Sequence, residues 1–214
     1  MKKIGVLRFP GTNCDQDVMQ LCSSQNLPAE YLWYQDRFNW KNYSHFIIPG
    51  GFSFGDYLRC GALAARSPAM KDLVEAAAQG APILGICNGF QILCESGLLP
   101  GALMKNIENH FIDGWVNLIC SSSSKFFAQK SAVGGVTRFP IAHGEGRFVA
   151  DADELKKIQD HQQIWYKYEN NPNGSVNDIA GVMNKTKNVH GLMPHPERAL
   201  FDWMGGTDGA GFIR

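Results

Sequence analysis

The residues best suited to chemistry in this chain are a cysteine, a histidine and a glutamate, each in a setting that favours nucleophilic attack on an acyl group. Cys87 lies in Gly85-Ile-Cys87-Asn-Gly89, straight after the apolar run Ile83–Ile86 and straight before the helix-compatible stretch Asn88–Glu95. A nucleophile on such a strand-to-helix turn takes a strained backbone, and bulky neighbours two positions to either side would collide. The turn also sets the sulfur against the free N–H groups and the positive end of the helix, which favours the thiolate. Met193-Pro-His195-Pro-Glu197 places an imidazole and a carboxylate two residues apart. Pro196 biases His195 toward extended backbone, where residues i and i+2 point the same way. Glu197 can then hold the ring while it takes the thiol proton. In Ile47-Ile-Pro-Gly-Gly51 a strand ends in two glycines, which frees the Gly51 N–H to join the Asn88 N–H as an oxyanion hole. Taken singly, Pro-Gly-Gly is an ordinary turn and a lone histidine an ordinary core or surface residue. Taken together, the three segments describe a cysteine-dependent acyl transfer site.

The surrounding pattern supplies the frame. Lys3–Arg8, Glu30–Tyr34, His45–Ile48 and Ile83–Ile86 read as strands. Helices are expected from a cap at Thr12 or Asn13 to about Gln25, over Pro68–Gln79, and over Asn88–Glu95. This alternation predicts an α/β fold with a mostly parallel central sheet flanked by helices. Ligands bind such sheets at the carboxyl ends of the strands, where Gly51 and Cys87 both fall. The second half is strand-rich: Trp115–Cys120, Val136–Ile141, Arg147–Val149, Gln163–Tyr168, Ile179–Met183 and Val189–Leu192, with a helix over 151–160 opened by Asp151 and Asp153. These strands are expected to extend the sheet in antiparallel fashion. The sequence shows no repeat, low-complexity tract or internal linker, so one domain is expected over residues 1–214.

Composition narrows the function. Lys plus Arg and Asp plus Glu number 20 each, which removes any electrostatic case for nucleic acid or an anionic membrane. No apolar run reaches the roughly 20 residues of a membrane span, and the apolar stretch at the N-terminus is too short for a signal peptide. A cytoplasmic location is expected. The six cysteines form no C-x-x-C pair and no zinc-spaced cluster, so no metal site is expected and five of the six read as small buried hydrophobes.

Pro49-Gly-Gly51, Gly85-Ile-Cys87-Asn-Gly-Phe-Gln91 and Pro194-His-Pro-Glu197, in that order, resemble the class I (triad) glutamine amidotransferases over essentially the whole chain. Asn13-Cys-Asp15, the long run Gly50–Ala62, Ala142-His-Gly-Glu-Gly146 and the stretch Gly174–Val182 further resemble the glutaminase subunits of phosphoribosylformylglycinamidine synthase. The resemblance implies the fold of that class and glutamine hydrolysis by Cys87, His195 and Glu197 through a γ-glutamyl thioester. It implies Gly51 and Asn88 as oxyanion donors and Gln91 beside the bound glutamine. His143, Gly144 and Glu145 would hold the glutamine α-amino and carboxylate groups, with a purely local role in the turn as the competing reading. Asp56, Tyr57 and Arg59 would line the mouth or dock a partner, against a plain solvated loop. The ammonia would pass to a synthetase subunit that holds ATP and magnesium and converts formylglycinamide ribonucleotide to formylglycinamidine ribonucleotide in purine synthesis, with a small bridging subunit between them. No cofactor is implied in this chain. The resemblance thins at Gly209–Arg214, where relatives often continue into a fuller terminal helix.

Three rivals differ in what they would do. An amidotransferase for another acceptor would pass ammonia to a different synthetase. A cysteine hydrolase of similar fold would turn over peptides or esters with no partner. A regulatory subunit with a decayed site would leave Cys87 unreactive toward a glutamine-like electrophile.

Overall fold

A computed structural model describes residues 2–128 and 132–213. The main sheet has nine strands. Five are parallel and lie in the order β2 (Ala29–Trp33), β1 (Lys3–Arg8), β3 (Tyr43–Ile48), β4 (Ile83–Ile86) and β11 (Val189–Leu192). Four more continue it antiparallel: β10 (Ile179–Met183), β9 (Ile164–Tyr168), β6 (Ile112–Cys120) and β7 (Val136–His143). The α/β architecture with an antiparallel extension is therefore as the alternation of elements predicts. All residues of β4 and β11 are buried, which is why these two strands are apolar throughout rather than alternating.

The helices follow from local rules in two cases and break them in a third. In α2 (Pro68–Ala78), Pro68 opens the helix and the Ser67 hydroxyl accepts from the Met70 N–H at 3.4 Å. In α4 (Ala152–Asp160), Asp151 Oδ1 accepts from the Glu154 N–H at 2.8 Å. The helix α1 (Asp15–Ser24) departs from expectation, because neither Thr12 nor Asn13 caps it. The N-cap is Cys14, which makes no side-chain cap bond. The Thr12 hydroxyl is occupied by the Phe9 N–H, and Asn13 Oδ1 faces the Cys14 thiol. Two further differences concern strands. Arg147–Val149 (β8) is not part of the main sheet but pairs with the unanticipated β5 (Ala102–Met104) in a separate two-stranded ribbon. The strand β7 runs on to His143, two residues beyond the expected end, and carries that residue toward the site described below.

Between the antiparallel strands and β11 the core is aromatic. His190 of β11 is fully buried there, with ring centroids 4.7 Å from Trp165 and 5.1 Å from Phe127. Burial lowers its pKa to about 3, so the folded protein keeps the ring neutral. As the pH falls below the ordinary value of 6.5, the unfolded chain takes up this proton first. The stability that neutral His190 supplies above pH 6.5 is therefore lost progressively toward pH 3. A His190→Leu variant should lose less stability between pH 7 and pH 5 than the native chain, read from urea midpoints at each pH. Equal losses in both would show that this histidine does not set the acid sensitivity.

Candidate active site

Cys87 joins β4 to α3 (Asn88–Glu95) with φ 51 and ψ −107, a conformation that costs an L-residue energy and aims its side chain out of the turn. The flanking glycines are explained by contact. A Cβ on Gly85 would lie 2.5 Å from the Gly89 carbonyl oxygen, and one on Gly89 would lie 2.0 Å from the Ile48 carbonyl oxygen. The elbow is tied to the neighbouring strand by the Cys87 N–H, which donates to the Leu192 carbonyl at 2.8 Å. Leu192 is the last residue of β11, and the chain continues at once into Pro194-His195. Pairing of β4 with β11 is thus what places the histidine next to the cysteine.

His195 and Glu197 are buried, at 2 % and 0 % exposure, with Nδ1 of the ring 2.6 Å from the Glu197 carboxylate. The route to this contact differs from the extended geometry expected. His195 has φ −107 and ψ 89, but Pro196–Arg198 form a 3₁₀ turn, and the turn delivers the carboxylate beneath the ring. Burial disfavours the charged imidazole, yet the Glu197 carboxylate and the Cys87 and Cys14 sulfurs outweigh it and hold the pKa of His195 well above its ordinary value. With Nδ1 directed at Glu197, Nε2 is left to exchange protons with a thiol. The Cys87 sulfur is 3.8 Å from the Ala142 carbonyl oxygen.

Gly51 has φ +145, and a Cβ there would come within 2.8 Å of the Asn13 nitrogen and the Gly11 carbonyl oxygen. Neither its N–H nor that of Asn88 has a hydrogen-bond partner among the described residues. Both donors are thus free, one at the end of β3 and one at the first turn of α3.

A cavity of about 220 Å³ opens at this point, lined by Gly51, Cys87, Gln91, His143, Gly144 and Glu145. The structure therefore gathers these six sequence-predicted residues around one space. The cavity also includes Asp56, Cys60 and Phe111. Gln91 acts through its neighbours: its Oε1 accepts from Asn88 at 2.8 Å and its Nε2 donates to the Glu145 carbonyl at 2.7 Å. It fixes the 143–146 loop against α3. Asn106 holds the same loop from the other side. Its amide N–H groups donate to the His110 and His143 carbonyls, so its Oδ1 must accept, from the Gly146 N–H and from the His143 ring at 3.1 Å. His143 Nδ1 therefore carries the proton, and Nε2 is a buried acceptor without a partner among the described residues. Burial and the nearby His195 lower the His143 pKa to about 4, which keeps the ring neutral.

Two carboxylates line the cavity. Burial raises the Asp56 pKa, opposed by a hydrogen bond with Cys60 and reinforced by the charge of Glu145. Tyr57 and Arg59, considered with Asp56 as residues of the mouth, lie outside it. Tyr57 is 74 % exposed, and Arg59 pairs with Glu95 of α3 at 2.6 Å.

Among the described residues one trio offers metal-type donors in reach of one another, Cys14, His195 and Glu197, with their ligand atoms within 4.8 Å. The imidazole and carboxylate of this trio are already bonded to each other, an arrangement suited to handling a proton. Cys14, Arg198, Asn106, Cys60 and Phe111 were not predicted as site residues. Cys14 and Cys60 fall in stretches that carry the family resemblance, and Arg198 adjoins Glu197, whereas nothing in the local sequence marks Asn106 or Phe111.

The chain is similar to known proteins over nearly its whole length. Residues 1–207 match the CobB/CobQ-like glutamine amidotransferase domain. Two relatives are phosphoribosylformylglycinamidine synthase PurQ subunits. The one from Helicobacter hepaticus is 47 % identical over 98 % of this chain and 95 % of its own length. The one from Trichormus variabilis is 50 % identical over 97 % and 93 %. Among solved structures, a chain of PurLQS from Thermotoga maritima superposes with a TM-score of 0.89 at 42 % identity, covering 98 % of this chain and 95 % of that one. A glutamine amidotransferase from the same organism shares the fold at a TM-score of 0.61 and 18 % identity, over 92 % and 77 % of the two chains. On a match spanning nearly its full length, the chain belongs to the CobB/CobQ-like glutamine amidotransferase family.

Proposed function

We propose that this chain is the glutamine-hydrolysing subunit of a phosphoribosylformylglycinamidine synthase, with Cys87 as nucleophile, His195 as general base and then acid, and Glu197 as the group that orients it. The observation that carries this reading is the elbow cysteine beside a buried His195–Glu197 pair at 2.6 Å, opening on a cavity of about 220 Å³. The Cys87 sulfur attacks the glutamine carboxamide carbon, and its proton goes to His195 Nε2. The tetrahedral oxyanion is met by the Gly51 and Asn88 N–H groups. His195 then protonates the departing ammonia, leaving a γ-glutamyl thioester. Water, deprotonated by the same ring, attacks the thioester; glutamate leaves and the thiol is restored.

The cavity suits glutamine as the substrate. Asp56 and Glu145 supply negative charge for its α-ammonium group, and the neutral His143 supplies an acceptor at Nε2. Gly144 lets the substrate approach the loop backbone, and Gln91 holds that loop in place. The chain itself needs no cofactor for this cycle. ATP and magnesium belong to the synthetase subunit, which receives the ammonia directly because free ammonia at neutral pH is protonated and lost. A small third subunit bridges the two. Among the described residues no helix is long and apolar enough to cross a membrane, and the cytoplasm is the compartment in which this assembly would work.

The test is glutamate release from glutamine by the chain alone and after addition of synthetase, bridging subunit and nucleotide substrate. Low activity alone with a large rise in the complex is the expected result. High activity alone, unchanged by the synthetase, would assign the chain to another acceptor.

A further inference from the structure

Cys14 has no part in the reaction just described, yet it stands inside the site. Its sulfur accepts a hydrogen bond from Arg198 Nη2 at 3.1 Å, and Arg198 is itself anchored through Nε to Asp17 at 2.9 Å. On the other side, the sulfur lies within 4.8 Å of both a His195 ring nitrogen and a Glu197 oxygen. Gly50 makes room for this approach: a Cβ there would fall 2.9 Å from His195 Cε1, 3.0 Å from Cys14 Sγ and 3.3 Å from Cys87 Cβ. The absent side chain leaves the nucleophile, the imidazole and the second cysteine converging on one point.

We infer that Cys14, clamped by Arg198, is a positioning residue for the catalytic imidazole, holding His195 and its proton in line for Cys87. The inference rests on the triad reading above. Three observations support it. Burial raises the Cys14 pKa, partly countered by His195, so the group is a thiol at neutral pH, and its one proton is given to Asn13 Oδ1 at 3.3 Å. The sulfur lone pairs face the Arg198 guanidinium and the charged His195 ring, whose buried Nε2 has no hydrogen-bond partner among the described residues apart from the cysteine sulfurs that favour its charged form. A buried ring N–H with no oxygen acceptor is a demand that the Cys14 sulfur is placed to meet. The groups that bear on the charge of His195 are Glu197, Cys87 and Cys14, with the neutral His143 ring nearby, and the Cys14 sulfur favours the protonated ring.

The test compares Cys14→Ala and Cys14→Ser in the assembled complex, measuring kcat and KM for glutamine, the acid limb of the kcat/KM profile, and synthesis from ammonium salt. Cys14→Ala should lower kcat about tenfold with KM little changed, the size of effect expected for loss of orientation of a general base. Removing support for the charged ring should also move the acid limb to lower pH, by about half a unit. Cys14→Ser keeps a hydroxyl that accepts from Arg198 and donates onward, and should restore most of kcat and the native limb. Arg198→Met should lower kcat similarly and combine with Cys14→Ala less than additively.

An unchanged kcat and limb in Cys14→Ala, or a loss confined to KM, would overturn the inference. So would loss of ammonium-supported synthesis in both Cys14 variants, which would mark a structural role. His195→Ala, run alongside, separates the two readings. If that variant is inactive while Cys14→Ala behaves as native, only the role of Cys14 falls; if it stays active, the triad reading falls with it.

Discussion

Replacing Cys87 by alanine is expected to abolish glutamine-dependent synthesis by the assembled complex while leaving synthesis from added ammonium salt intact. The separation of the two activities follows from where the residue sits. Its side chain lines the cavity, and its backbone, not its side chain, ties the elbow to β11 through the bond to Leu192. Alanine keeps that bond and removes only the sulfur, a small loss beside the packing of β4 and α3. With no sulfur there is no thioester, and loss of a nucleophile commonly costs about 10⁵- to 10⁶-fold in turnover. His195→Ala should approach this loss. Glu197→Ala should be milder, because the ring survives and loses only its orienter. It leaves the imidazole buried without its carboxylate partner, however, and its pKa should fall. Measured rates of glutamate release and ammonium-supported synthesis decide the matter. If Cys87→Ala lost both activities, the residue would be structural, and if all three variants kept glutamine hydrolysis, the triad assignment would fail.

Much of this site is legible in the sequence because the physics that builds it is local. Gly85 and Gly89 announce the elbow, since the collisions they avoid are with backbone a few residues away or in the adjoining strand. His195 and Glu197 sit in one short motif, so their contact hardly depends on the rest of the fold. The parallel half of the sheet is legible for a similar reason: buried strands such as β4 and β11 must be apolar on both faces. What the sequence conceals depends on pairings across long separations. Arg198 reaches Cys14 across 184 positions, and Asn106 grips His143 across 37. No local pattern marks such partners, because each is chosen by the register of elements that meet only in the folded chain. The same applies to β8, whose three residues read as a strand without revealing that β5 is its partner. Thr12 and Asn13 are suitable by type to cap α1, but their oxygens are engaged by Phe9 and Cys14, so the cap falls to Cys14.

Gly89→Ala puts two of these physical rules in direct opposition, and magnitude decides between them. Gly89 lies in the first turn of α3, and helix propensity alone predicts that alanine there would stabilise the protein by up to about 1 kcal/mol. The new Cβ, however, would lie 2.0 Å from the Ile48 carbonyl oxygen and 3.0 Å from the Ile48 Cβ. Backbone at such a distance cannot rotate away as a flexible side chain would, so α3 and β3 must part. Overpacking of this kind costs typically about 1–3 kcal/mol, enough to cancel the gain in propensity and reverse its sign. Its effect on chemistry should be larger than its effect on stability. Moving α3 away from β3 separates the Asn88 N–H from the Gly51 N–H, and misplacing one oxyanion donor costs about 10²- to 10³-fold in kcat. The expected result is a folded protein with a lowered denaturation midpoint and glutamine turnover reduced by at least two orders of magnitude. Gly80→Ala is the comparison, because Gly80 has φ +84 but nothing within 4 Å of its would-be Cβ. That variant should lose about 1 kcal/mol to backbone strain and keep native turnover. A Gly89→Ala protein that gained stability and kept its turnover would show that the elbow tolerates a side chain there, and that the close approach of α3 to Ile48 is not what aligns the two donors.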